Sequence, residues 1–144
     1  MADNYGVTFA QKLIQRGDYE AALAAADKHA QQDPHNPEPY HDRARALSLR
    51  GRYEQAVADY TRAIELDKEE CVLQDWEVDD GFFSTLVAWG QSLGEPGKAA
   101  SAEQVAIMQR YRQILPKGQH VAEAEQWILR FRGLLKSTFV KPQD

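Results

Sequence analysis

A single cysteine, Cys71, stands in 144 residues, so no disulfide can form within the chain and a reducing, cytoplasmic setting is the natural expectation. Long apolar runs are also missing. Ala21 to Ala26 is typical of the longest, far below the roughly 20 residues that span a bilayer, and no membrane insertion is expected. At the start, Asp3 and Asn4 occupy the place of a basic n-region and no apolar h-region follows, so nothing there resembles a secretory signal. Basic residues are in deficit, 17 against 22 acids for a net charge of −5. That balance argues against binding a nucleic-acid backbone, which draws its affinity from clustered Lys and Arg.

The arrangements that carry chemistry are lacking as well. His29, His35, His41 and His120, taken with Cys71, have no metal-ligand spacing, and they read as isolated surface histidines. Gly94-Glu95-Pro96-Gly97-Lys98 hints at a phosphate loop, but Ser92 stands where the leading glycine must be and Ala99 follows the lysine. No nucleophile-elbow sequence supports a Ser-His-Asp triad. Asp79-Asp80 reads as a helix start, where carboxylates favour the dipole. No catalytic residue, metal or cofactor is therefore expected, and the chain is not expected to be an enzyme.

What the sequence does contain is a period. Arg16-Gly17-Asp18-Tyr19-Glu20-Ala21-Ala22 recurs 34 residues later as Arg50-Gly51-Arg52-Tyr53-Glu54-Gln55-Ala56, with Ala10 answering to Ala44 and Leu13 to Leu47. Such a period marks stacked units, none able to bury its apolar face alone. Gly17 suits a helix end needing positive φ, and Asp18 is placed to cap the next helix. Pro34, Pro37 and Pro39 close the second helix and open the third. The organisation predicted is one domain: a first repeat at 3–36, a second at 37–70, an acidic insertion at 71–78, a degenerate third repeat at 79–116 and a capping helix at 119–138. In the third repeat, a helix from Asp79 to Leu93 stops at Gly94-Glu95-Pro96-Gly97, and Ser101 with Gln104 forms a capping-box pattern for the next. The last helix carries Val121, Ala124, Ile128, Phe131 and Leu135 at helical spacing, widened by Trp127 and Leu134. It reads as a cap over the last hairpin or as an oligomer-forming surface. Trp76, set among acids, either folds back over the core or recognises a basic partner.

These residues resemble the tetratricopeptide repeat, a helix-turn-helix unit of 34 residues. Counted from Pro37, the small residues of that pattern are Ala44, Ala56 and Ala63 and its aromatics are Tyr40, Tyr53 and Tyr60. In the first repeat Gly6 and Ala26 replace two aromatics, and His29 replaces the last small residue. The resemblance implies an all-α, right-handed solenoid of about three helical hairpins, the third degenerate, plus the capping helix. It also implies that Arg43, where leucine is usual, pairs with Asp59 sixteen residues on, since a charge so near a core must be paired.

The function implied is noncatalytic protein recognition, as adaptor, scaffold or assembly factor. A peptide or helix of a partner would lie in a groove lined by Val7, Gln11, Ile14, Gln15, His41, Asp42, Arg45, Ser48 and Leu49, continued by Ser84, Thr85, Ala88 and Gln91. One branch of the family clamps a terminal carboxylate with lysine, asparagine and arginine; Val7, Gln11 and Asp42 stand at the matching places, so that clamp is absent. Arg45 and His41 are the groups left to receive an acidic ligand. Trp76, Trp127 and Phe131 are candidates for secondary contacts. The alternatives are a self-associating homo-oligomer and a regulatory domain of a larger enzyme or signalling protein.

Overall fold

A computed structural model describes residues 7–70 and 73–134. Cys71, Leu135 and the end of the expected capping helix lie outside the described residues. Within them the chain is all-helical, in the order α1 (Phe9–Gln15), α2 (Tyr19–Gln32), α3 (Pro37–Leu49), α4 (Tyr53–Glu70), α5 (Asp75–Ser92), α6 (Ser101–Ile114) and α7 (Val121–Phe131). Two compact units form, Met1–Val78 and Asp79–Asp144.

In the first unit, α1 with α2 and α3 with α4 make two helical hairpins, and α2 packs on α3 while α1 meets α3. The two turns are built alike. Gly17 and Gly51 take φ of 81° and 76°, which glycine adopts without steric cost. That conformation lets Asp18 N–H reach the Leu13 carbonyl and Arg52 N–H reach the Leu47 carbonyl, each at 2.9 Å, satisfying carbonyls that a helix end leaves open. Ala22, Ala26, Ala44, Ala56 and Ala63 are all buried, and their small side chains bring the helices close enough for Leu13, Ile14 and Ala46 to share one core with Ala22. Tyr60 fills the wider space on α4. Asp18 does not cap α2: its ψ of 73° aims the carboxylate away from the open N–H groups. Thr8 and Asn36, with ψ of 165° and 123°, do cap α1 and α3.

The second unit is held by side chains that cross between helices. Ser101 and Gln104 do not form the capping box their spacing suggests, because both point inward. Ser101 Oγ donates to the Phe131 carbonyl at 2.7 Å, and Gln104 Nε2 donates to the carbonyls of Gly90 and Gly94 at 2.9 and 2.8 Å. Gly97 N–H also donates to the Phe131 carbonyl, so the enlarged turn after α5 satisfies the end of α7. Two boundaries differ from expectation. Helix α5 begins at Asp75, not Asp79, because Asp75 and Glu77 sit in its first turn, where acids favour the helix dipole. Helix α7 stops at Phe131, not near Ser137, because Gly133 at φ 79° turns Leu134 N–H back onto the Leu129 carbonyl.

Candidate functional site

The α1–α3 face of the first unit carries the nine groove positions, and the structure sorts them into two kinds. Ile14, His41 and Asp42 are buried and belong to the packing between helices, not to an open surface. Val7, Gln15 and Leu49 are exposed, the last at 54%, and Gln11, Arg45 and Ser48 are half-buried.

Asp42 binds helices together. Thr8 Oγ1 donates to one carboxylate oxygen at 2.7 Å and Gln11 Nε2 to the other at 2.9 Å. Burial raises its pKa while those two donors and the Arg45 charge hold it down. With both oxygens occupied, Asp42 is not an acid standing free to repel a ligand. His41 packs edge-on against Tyr60, its ring centroid 5.8 Å away, and Nε2 has no partner. Burial first, and then the Arg45 charge, push its pKa down to about 4 from the usual 6.5. His41 is thus a neutral packing residue at pH 7, not a receiver for an acidic group.

A pH dependence follows from that depressed value. The unfolded chain takes up the His41 proton more readily than the folded one, so His41's contribution is whole above pH 6.5 and is lost as pH falls toward 4. A gap of 6.5 to about 4 corresponds to about 3 kcal/mol at its limit, and roughly 2 kcal/mol is gone by pH 5. His41→Gln should flatten the wild-type decline in urea midpoint between pH 7 and pH 5, and parallel curves for the two proteins would refute the assignment.

What remains on the face is Arg45, half-buried and without an ion pair among the described residues, with Leu49 one turn further along α3. Behind the face, Arg43 spans three helices. Its Nε and Nη2 donate to Asp59 on α4 at 2.8 and 3.0 Å, and its Nη1 donates to Asp27 on α2 at 2.5 Å. The Asp59 hydrogen bond outweighs burial in raising the pKa of Arg43, which stays charged. Asp27 lies sixteen residues before Arg43 as Asp59 lies sixteen after, a symmetry the sequence displays once Arg43 is known to face both neighbours.

The remaining candidates lie apart from this face. Trp76 is 56% exposed in the first turn of α5, so it is not folded into the core. Trp127 is half-buried, with Arg130 4.6 Å from its ring. Phe131 is fully buried and is core: a methyl at Gly90 would come within 2.8 Å of its ring. Thr85 is buried too, whereas Ser84 and Gln91 are exposed. Asp79 and Asp80 do not serve as helix-start acids. Asp79 accepts from the Tyr111 hydroxyl at 2.6 Å and from Gln119 N–H at 2.8 Å. Asp80 contacts His120 Nε2 at 2.7 Å, Glu123 contacts the other ring nitrogen, and the ring stacks on Phe83 at 4.4 Å. His120 is therefore no isolated surface residue. Although burial lowers its pKa, Asp80 and Glu123 raise it further.

Among the described residues no three His, Cys, Asp or Glu side chains are grouped to hold a metal ion, and no helix is long and apolar enough to cross a membrane. Residues 13–69, from within α1 to near the end of α4, match the family model for the tetratricopeptide repeat. Among curated proteins none matches the chain.

Proposed function

Since the chain belongs to the tetratricopeptide repeat family over residues 13–69, whose domains are generally noncatalytic protein-interaction modules, we propose that its α1–α3 face binds an extended or helical segment of a partner protein. The observation that carries this reading is Arg45: a half-buried cation with no ion pair among the described residues, beside exposed Leu49 and Val7. A cation partly withdrawn from water attracts a carboxylate more strongly than a fully solvated one. The exposed apolar neighbours supply area that a ligand can bury. The segment suited to this face carries an acid near one or two apolar side chains, and the protein acts as an adaptor, scaffold or assembly factor.

The test is a quantitative pull-down with the wild type and an Arg45→Glu, Leu49→Asp variant. Loss of at least tenfold in the amount of a given partner is expected, because reversing the charge repels the acid and the second change removes apolar contact. Retention of every captured partner by the variant would show that the face is not the binding site. Self-association is a second reading, favoured by the exposure of Trp76 and Leu134. Light scattering of wild type and Trp76→Ala, Leu134→Ser chains across salt concentrations tests it, and a wild-type monomer at every concentration removes it.

A further inference from the structure

A cleft of about 390 Å³ opens between α1 and α2, lined by Thr8, Phe9 and Ala10 on one side and by Ala25, Lys28, His29 and Gln32 on the other. It is separate from the α1–α3 face, and the internal repeat shows what fills its counterpart. Thirty-four residues on, Phe9 becomes Arg43 and Lys28 becomes Arg62. Both of those guanidiniums lie against one ring, that of Tyr40, at 5.5 and 5.9 Å from its centroid. The first-repeat counterpart of Tyr40 is Gly6, which has no side chain. The other change is at Asp59, whose counterpart is Ala25, so a short apolar residue replaces a carboxylate beside the space.

We infer that this cleft is a second recognition site, which takes an aromatic side chain of a partner peptide with an acidic residue next to it. The ring occupies the place that Tyr40 fills in the following repeat. Three features argue for that occupant. Phe9, 68% exposed, offers a ring for offset or edge-on stacking. Lys28 forms no ion pair among the described residues, so its ammonium is available both to the ring, as Arg62 is to Tyr40, and to a neighbouring carboxylate. His29 stands where the repeat otherwise holds the small Ala63 and adds a second polar donor at the rim. Loss of the Asp59 carboxylate at Ala25 leaves no acid among the lining residues to repel an acidic ligand.

Titration of the isotopically labelled protein with acetyl-Glu-Tyr-Glu-amide and acetyl-Glu-Ala-Glu-amide, followed by amide chemical shifts, tests the inference. The tyrosine peptide should shift the amides of Phe9, Ala25, Lys28 and His29, and bind at least tenfold tighter than the alanine peptide. Gly6→Tyr restores the ring present in the next repeat, and Ala25→Phe fills the cleft from the other side; each should reduce binding at least tenfold while leaving the Arg45 face unaltered. Equal binding of the two peptides would reduce the site to simple charge attraction and overturn it. Binding that appears only after Tyr5→Ala would show that the chain's own tyrosine occupies the cleft, which also overturns a partner's claim on it. Because the readout is confined to the α1–α2 cleft, failure here leaves the α1–α3 reading standing, and failure of Arg45→Glu, Leu49→Asp to alter capture leaves this one standing.

Discussion

Asp59→Ala is expected to lower the stability of the first unit by about 2 kcal/mol. Removing one partner of a fully buried ion pair costs roughly 3–5 kcal/mol, because the remaining charge is left without compensation in a medium poorer than water. Arg43 does not reach that limit: its side chain is 26% exposed, against 13% for Asp59, and Asp27 still receives one of its donors. The exposed pair with Asp27, whose side chain is 56% accessible, is worth under about 1 kcal/mol, so Asp27→Ala should be the milder change. Removing both charges together, as Arg43→Leu with Asp59→Leu, should recover much of the loss, since apolar groups of similar size replace a buried ion pair at little cost. Urea midpoints of the three variants decide the matter. An unchanged midpoint in Asp59→Ala, or a double variant worse than the single one, would contradict the account.

The legibility of the chain tracks how local each determinant is. Gly17 and Gly51 announce their turns because a positive φ is a demand on a single residue, met within five residues of sequence. The small residues of α2 and α4 likewise show their burial by period alone. Ser101 and Gln104 display the opposite case. Their spacing fits a capping box, yet carbonyls brought near by α5 and α7 compete for the same donors and win. A local pattern cannot reveal that competition. The same is true of Asp79, whose partners are 32 and 40 residues away. Among the groove positions, helical spacing places His41 and Asp42 beside Arg45, but depth depends on neighbouring helices. Thr8 and Gln11 take both oxygens of Asp42, and Tyr60 covers His41, leaving Arg45 as the charged residue of the face.

In the second unit the largest effect is expected from Gly118→Ala, at about 3 kcal/mol. The added methyl would meet the Tyr111 hydroxyl in direct overlap and come within 2.8 Å of its Cζ and 2.9 Å of Asp79 Oδ2. Tyr111 has no room to retreat: it is fully buried, with Phe82 and Phe83 at ring separations of 6.1 and 5.6 Å. Its hydroxyl donates to Asp79 and accepts from His120 N–H at 2.8 Å, while Gln119 N–H reaches the second Asp79 oxygen. The methyl therefore overpacks the site, at roughly 1–3 kcal/mol, and separates donors from acceptors in a buried network, at a further 1–3 kcal/mol or so. Reduced freedom of the unfolded alanine chain returns only about 0.4–1 kcal/mol. Gly17→Ala supplies the contrast. There φ is 81° but nothing lies within 4 Å of the added methyl, so the cost is conformational and about 1–2 kcal/mol. Amide exchange separates the mechanisms: Gly118→Ala should speed exchange at Gln119 and His120, whose acceptors are the displaced groups, and Gly17→Ala should not. In a Tyr111→Phe background, where the hydroxyl is already gone, Gly118→Ala should lose at least about 1 kcal/mol of its effect, as coupled neighbours do. Strict additivity of the two substitutions would mean that the glycine is not there to make room for the hydroxyl.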